Sequence, residues 1–113
     1  MKEIKAIIRP FKLDEIISEL HKINGLPGLT ISEVKGFGRT KAKGAADSFM
    51  DGLYSYVKKI KIEMVVSDSI VEKVVNKIRE TAYTGNPGDG KIFILDVSDT
   101  IRVSTNESGD KAI

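Results

Sequence analysis

The chain has 113 residues, enough for one modest core, and its 41% apolar and 30% charged residues match an ordinary globular protein. Eighteen basic against 16 acidic side chains leave a net charge of +2, which gives no electrostatic case for nucleic acid or an anionic membrane surface. With no cysteine and a single histidine, His21, the chain can build neither disulfides, thiolate metal centres and cysteine nucleophiles nor a cluster of imidazole ligands.

The opening run MKEIKAII alternates at once, placing Ile4, Ala6 and Ile8 on one side, and reads as a strand rather than a signal peptide. No stretch approaches the roughly 20 apolar residues of a membrane span. A cytoplasmic protein without membrane insertion is therefore the expectation. Pro10 ends the strand. Leu13, Ile16, Ile17, Leu20 and Ile23 then follow the i, i+3, i+4, i+7 rhythm of an amphipathic helix, closed by Asn24 and Gly25. LTISEVKGFG, from Leu29 to Gly38, reads as a second strand. After an irregular segment, KIKIEMVV, from Lys59 to Val66, is a third.

Ser67 or Asp68 is placed to cap a second helix, whose apolar face is Ile70, Val71, Val74, Val75, Ile78 and Ala82. KIFILDV, beginning at Lys91, is a fourth strand, and TIRVS, from Thr100 to Ser104, adds a short fifth. Residues 105–113 are expected to form a flexible tail. The order strand-helix-strand, strand-helix-strand predicts one α+β domain over residues 1–113. This is the ferredoxin-like βαββαβ sandwich, with both helices on one face of an antiparallel sheet.

That architecture leaves a second sheet face. Ile60, Ile62, Met64 and Val66 are expected to point toward the helices and Lys61, Glu63 and Val65 away. Ile7 joins the outward set, together with either Ile92 and Ile94 or Phe93 and Leu95. Such a face is too apolar to leave wet, and association through it is the expected remedy.

Between the second helix and the fourth strand lies TGNPGDGK, from Thr84 to Lys91. GNPGDGK has the G-x-x-x-x-G-K spacing of a phosphate-binding loop. However, Ile92 stands where the magnesium-holding serine or threonine belongs, and the loop opens a strand instead of a helix. It is not a P-loop nucleotidase. Glycines still let backbone N–H groups converge on an anion, with Lys91 to neutralise charge and Asp89 to accept from a ribose hydroxyl or a lysine. The plainer alternative is a helix-to-strand turn, with Gly85 as helix C-cap and Pro87-Gly88 as a tight turn.

AIIRPFKLDEI, TISEVKGFGR, KIKIEMVV and TGNPGDGKIFILDVSDTIRV resemble, in order and nearly in spacing, the successive blocks of the PII signal-transduction proteins. The resemblance covers nearly the whole chain, and implies a homotrimer that binds ATP or ADP, ATP with Mg2+, in clefts between subunits. It assigns the phosphates to Gly88, Asp89, Gly90 and Lys91, and the lining of the same cleft to Ile7, Gly36, Arg39, Glu63 and Val65. The neighbouring chain would bring Gly28, Leu29, Thr30 and Arg102. Where the family reads R-x-R-T-G, this chain reads RVSTN, so Ser104 and Asn106 replace an arginine and a glycine. Losing a phosphate-facing arginine removes about 1–3 kcal/mol of charge-assisted hydrogen bonding, which tilts the expectation toward ADP or AMP.

Residues 40–56 correspond to the family's T-loop, which docks on partner proteins. Phe49, Met50, Leu53 and Tyr54 offer apolar side chains for that contact. The usual Tyr-Arg-Gly-x-x-Tyr motif is absent: Asp47 and Ser48 stand at its first two positions, and Gly52 replaces the tyrosine that many bacterial members uridylylate. Uridylylation at that site is therefore excluded. Lys59 matches the lysine that pairs with 2-oxoglutarate, whereas Thr40 replaces a glutamine that helps hold magnesium beside it, so half of that site is kept. The resemblance implies a regulator, not an enzyme, acting on a membrane transporter or a nitrogen- or carbon-metabolism enzyme. The alternatives are a slow nucleotide hydrolase and a trimeric regulator unrelated to nitrogen status.

Overall fold

A computed structural model describes residues 1–37 and 56–113. Strand β1 spans Lys2–Ile8, helix α1 Leu13–Leu20, strand β2 Thr30–Gly36, strand β3 Val57–Val66, helix α2 Val71–Ala82 and strand β4 Gly90–Asp96. The strands form one sheet in the order β2-β3-β1-β4, with every neighbouring pair antiparallel. This is the expected ferredoxin-like sheet, with β3 inserted between the strands that flank α1.

Alternation along the central strands sets the core. Ile4, Ala6 and Ile8 of β1 and Ile60, Ile62, Met64 and Val66 of β3 are buried on the face covered by the helices. Ile16 and Leu20 of α1 and Val74, Ile78 and Ala82 of α2 meet them there, each set spaced at i, i+4 so that it shares one side of its helix. Ile23 is buried although α1 ends at Leu20. Backbone bonds from Ile23 N to Leu20 O (3.0 Å) and from His21 N to Ile17 O (3.0 Å) wind the chain down before Asn24 is reached.

Register settles the two alternatives for β4. Lys5 stands opposite Phe93 and Glu3 opposite Leu95, so these two apolar side chains share the face turned away from the helices, with Ile7 and Val65. Ile92 packs against the core instead. Ile94, on the same side as Ile92, remains 51% exposed at the sheet edge.

Three local expectations are corrected. TIRVS forms no fifth strand, because no neighbouring strand receives its hydrogen bonds; an isolated bridge joins Ile101 to Ser108. Neither Ser67 nor Asp68 caps α2 directly. A 3-10 turn over Asp68–Ile70 comes first, and Ser67 Oγ pairs with Ser69 Oγ at 2.9 Å instead of capping a backbone N–H. Gly85 is not the C-cap of α2, since Tyr83 is already extended and closes the helix through its N–H to Arg79 O at 3.2 Å. Toward the carboxyl terminus, Gly109–Ala112 forms a 3-10 turn and Ala112 is buried.

Candidate functional site

Three chain segments converge where β1 ends and β4 begins. Ile8 lies opposite Gly90 in one pairing and opposite Ile60 in the other. Extending each register by one residue brings Arg9 beside Asp89 and Lys59. Arg9 donates through Nε to Asp89 Oδ1 at 3.1 Å and through a terminal guanidinium nitrogen to Pro87 O at 2.5 Å. Lys59 Nζ donates to Gly88 O. Two cations from the central strands therefore hold the outer carbonyls and the carboxylate of the glycine turn.

Asp89 also ties the turn to itself. Oδ2 accepts from Thr84 N at 2.7 Å and Gly85 N at 3.0 Å, and Oδ1 accepts from Thr84 Oγ1 at 2.5 Å. Partial burial would raise its pKa. The hydrogen bonds from Thr84 Oγ1, Thr84 N, Arg9 and Gly85 N outweigh that effect and hold the carboxyl well below the usual carboxylate range. Burial, reinforced by the neighbouring Arg9 charge, lowers the Lys59 pKa, while Asp89 acts in the opposite direction.

The glycines are required by geometry at the turn's exit. Gly90 has φ +119°, and a Cβ placed there would lie 1.8 Å from Ile7 O. Gly88 has φ 94° and Gly85 φ 88°, both in the region that favours glycine. The chain thus passes close against β1 at Gly90, with no side chain at Gly85, Gly88 or Gly90. Lys91, next in sequence, stands opposite Ile7 on the sheet face away from the helices. A cavity of about 430 Å³ lies on the other side of the turn, floored by Ile8, Val75, Ala82 and Ile92.

The remaining candidates divide by position. Glu63 shares the open face and pairs with Lys61 at 3.3 Å, and Val65 lies further along the same strand. Gly36 pairs with Val57 at the far end of β2, where an added Cβ would sit 3.6 Å from Lys59 Cγ. Gly28, Leu29 and Thr30 lead into or open β2, the opposite edge of the sheet from Lys91 on β4. Three strand spacings separate those edges, about 14 Å. Arg102 lies beyond β4, its guanidinium donating to Ile113 O at 3.0 Å. Arg39, Thr40, Phe49, Met50, Leu53 and Tyr54, with Gly52, lie outside the described residues.

Arg9 was not among the sequence candidates. Its place at the end of the first strand, before Pro10, marks a strand terminus, and nothing local connects it to a turn 80 positions away. Lys59, singled out for a different ligand, reaches the same turn.

A family model described as "Nitrogen regulatory protein P-II" matches residues 1–107. The chain belongs to the P-II family. Its relatives include a nitrogen regulatory protein P-II of Azospirillum brasilense, 44% identical over 113 residues and covering all of both chains. Nitrogen regulatory protein P-II 1 of Escherichia coli is 47% identical over the same length, again with complete coverage of both. The crystal structure of Arabidopsis thaliana PII bound to citrate aligns with a TM-score of 0.79 at 44% identity. It covers 99% of this chain and 91% of that one. This P-II chain is thus a signal-transduction regulator of the nitrogen regulatory class. Among its described residues no helix is long and apolar enough to cross a membrane.

Proposed function

We propose that this P-II chain senses adenine nucleotides by binding ATP or ADP at the turn Gly88–Lys91, in clefts between the subunits of a homotrimer. The observation that carries the reading is the construction of that turn. Gly90 admits no side chain, Asp89 and Arg9 brace the backbone from behind, and Lys91 stands beside Ile7 on the open sheet face. A glycine-rich backbone with a cation alongside suits a phosphate group. Arg39 and Arg102 would add charge, and Glu63 and Val65 would line the cleft toward the base.

The position of Thr30 favours a site shared by two chains. Thr30 and Lys91 sit on opposite edges of one sheet, so Gly28, Leu29 and Thr30 would reach the nucleotide from a second copy; Arg102 is assigned to that copy by the family resemblance alone. Asp89 has its oxygens taken by four donors, and Glu63 is paired with Lys61. Neither is placed as a free base, which favours a sensor over a hydrolase. Signalling would pass through residues 40–56 to a transporter or a metabolic enzyme, with Phe49, Met50, Leu53 and Tyr54 making contact.

Calorimetric titration with ATP, ADP and AMP tests the nucleotide reading. Binding heat is expected for at least one of them, lost or strongly reduced in Lys91→Ala. Absence of heat at protein near 100 μM, where an affinity of roughly −5 kcal/mol still registers, would overturn it. For the partner, capture by intact protein but not by a chain lacking residues 42–54 is the expected result.

A further inference from the structure

The pairing of β2 with β3 sets two lysines directly against each other. Ile31 stands opposite Ile62, Glu33 opposite Ile60 and Lys35 opposite Lys58, so alternation puts all six on the sheet face that carries the helices. Helical cover ends at Ile60, and Lys35 and Lys58 beyond it are exposed. Directly opposed residues of a sheet hold their Cβ atoms about 5 Å apart. Lys12, Lys22, Lys61 and Lys77 each have a glutamate within 4.0 Å, whereas among the described residues neither Lys35 nor Lys58 has a carboxylate partner. Glu33, two positions before Lys35 on the same face, bridges to neither. A cleft of about 300 Å³ opens beside the pair, and its wall includes Pro10, Glu33 and Ile60.

Like charges directly opposite each other weaken the pairing of a sheet, and an anion seated between them turns that repulsion into attraction. We propose that Lys35 and Lys58 bind the phosphate of a small phosphate monoester, whose neutral body rests on Pro10 and Ile60. Charge selects the group. A phosphate monoester carries about two negative charges at neutral pH, so it answers both ammonium groups at once where a carboxylate answers one. The cleft selects the rest of the ligand. Pro10 and Ile60 offer carbon surface, which the free ion cannot use, and Glu33 on the same wall repels a second anionic group. The glycine turn takes no part. Lys59 follows Lys58 but lies on the other face, opposite Val34, and its amine holds Gly88 O.

Residue-resolved NMR of the full chain, titrated with phenyl phosphate at constant ionic strength, tests the assignment. Saturable shifts are expected at Lys35, Lys58, Glu33 and Ile60, with a Kd of about 1 mM or tighter. Benzoate keeps the ring with one charge, and inorganic phosphate keeps the charge without the ring. Each is expected to bind at least about fivefold more weakly. The double variant Lys35→Met with Lys58→Met relieves a repulsion, so it is expected to fold like the parent and to lose the shifts. Lys35→Arg with Lys58→Arg is expected to keep them. Shifts that grow without saturating, or that saturate only at Gly88 to Lys91, would overturn the site, as would undiminished binding in the methionine variant. Benzoate binding as tightly as phenyl phosphate would overturn the choice of a dianion. Inorganic phosphate binding as tightly would overturn the choice of an ester.

Discussion

Protonating Asp89 would remove one acceptor from Thr84, Gly85 and Arg9 together. Because hydrogen bonds depress its pKa in the folded chain, the stabilisation is fully present above the unfolded carboxyl value near about 4. It is lost as pH falls through the lower folded value. Urea denaturation at a series of pH values is expected to show stability falling below about pH 4, with a shallower slope in Asp89→Asn. Gly90 presents the opposite kind of constraint, one of space. Alanine there would meet Ile7 O at 1.8 Å in a backbone conformation that L side chains rarely adopt. Gly90→Ala is expected to destabilise by about 3 kcal/mol or more. Gly28→Ala, with nothing within 4 Å and an ordinary φ, should stay within about 0.5 kcal/mol. Thermal denaturation of the pair checks the contrast. The sequence marked both glycines equally; the approach of Ile7 O distinguishes them.

Helix α2 derives its place from packing more than from its ends. Its entry is a 3-10 turn without a side-chain cap, yet Val74 and Ile78 are fully buried against the sheet. Ile78→Ala is expected to cost about 2–5 kcal/mol, read as a lowered urea midpoint, since the residue combines lost transfer energy with an unfilled cavity. Period-two alternation identified β1 and β3 correctly, because each buries one face and leaves the other polar or shared. The same alternation misled at TIRVS. Val103 is 99% exposed there, and β-branched residues make no strand without a neighbour to take their backbone hydrogen bonds.

At the scale of the whole molecule, the open sheet face carries Phe93 and Leu95, 46% and 41% exposed, alongside Ile7 and Val65. If that face closes a homotrimer, Phe93→Lys combined with Leu95→Lys should lower the light-scattering mass from three chains to one. The heat of nucleotide binding should disappear with it, since Thr30 and Lys91 cannot meet within one sheet. A double variant that remains trimeric would assign the assembly to other surfaces.

The glycine-rich turn was assigned as a site only through the family resemblance, whereas composition and periodicity were enough to read the α+β order and the buried set of β3. Each is a local property, repeating every two or 3.6 residues or confined to a few neighbours in the chain. Both alternating sets of β4, Ile92 with Ile94 and Phe93 with Leu95, are apolar, so pattern alone could not say which faced the helices. Pairing with β1 decided it. The same pairing brought Arg9 and Lys59 to a turn far away in sequence, where their charges meet Asp89 and the backbone carbonyls. Strand register is a collective outcome of packing one face against two helices, and those long-range contacts exist only after the chain has folded.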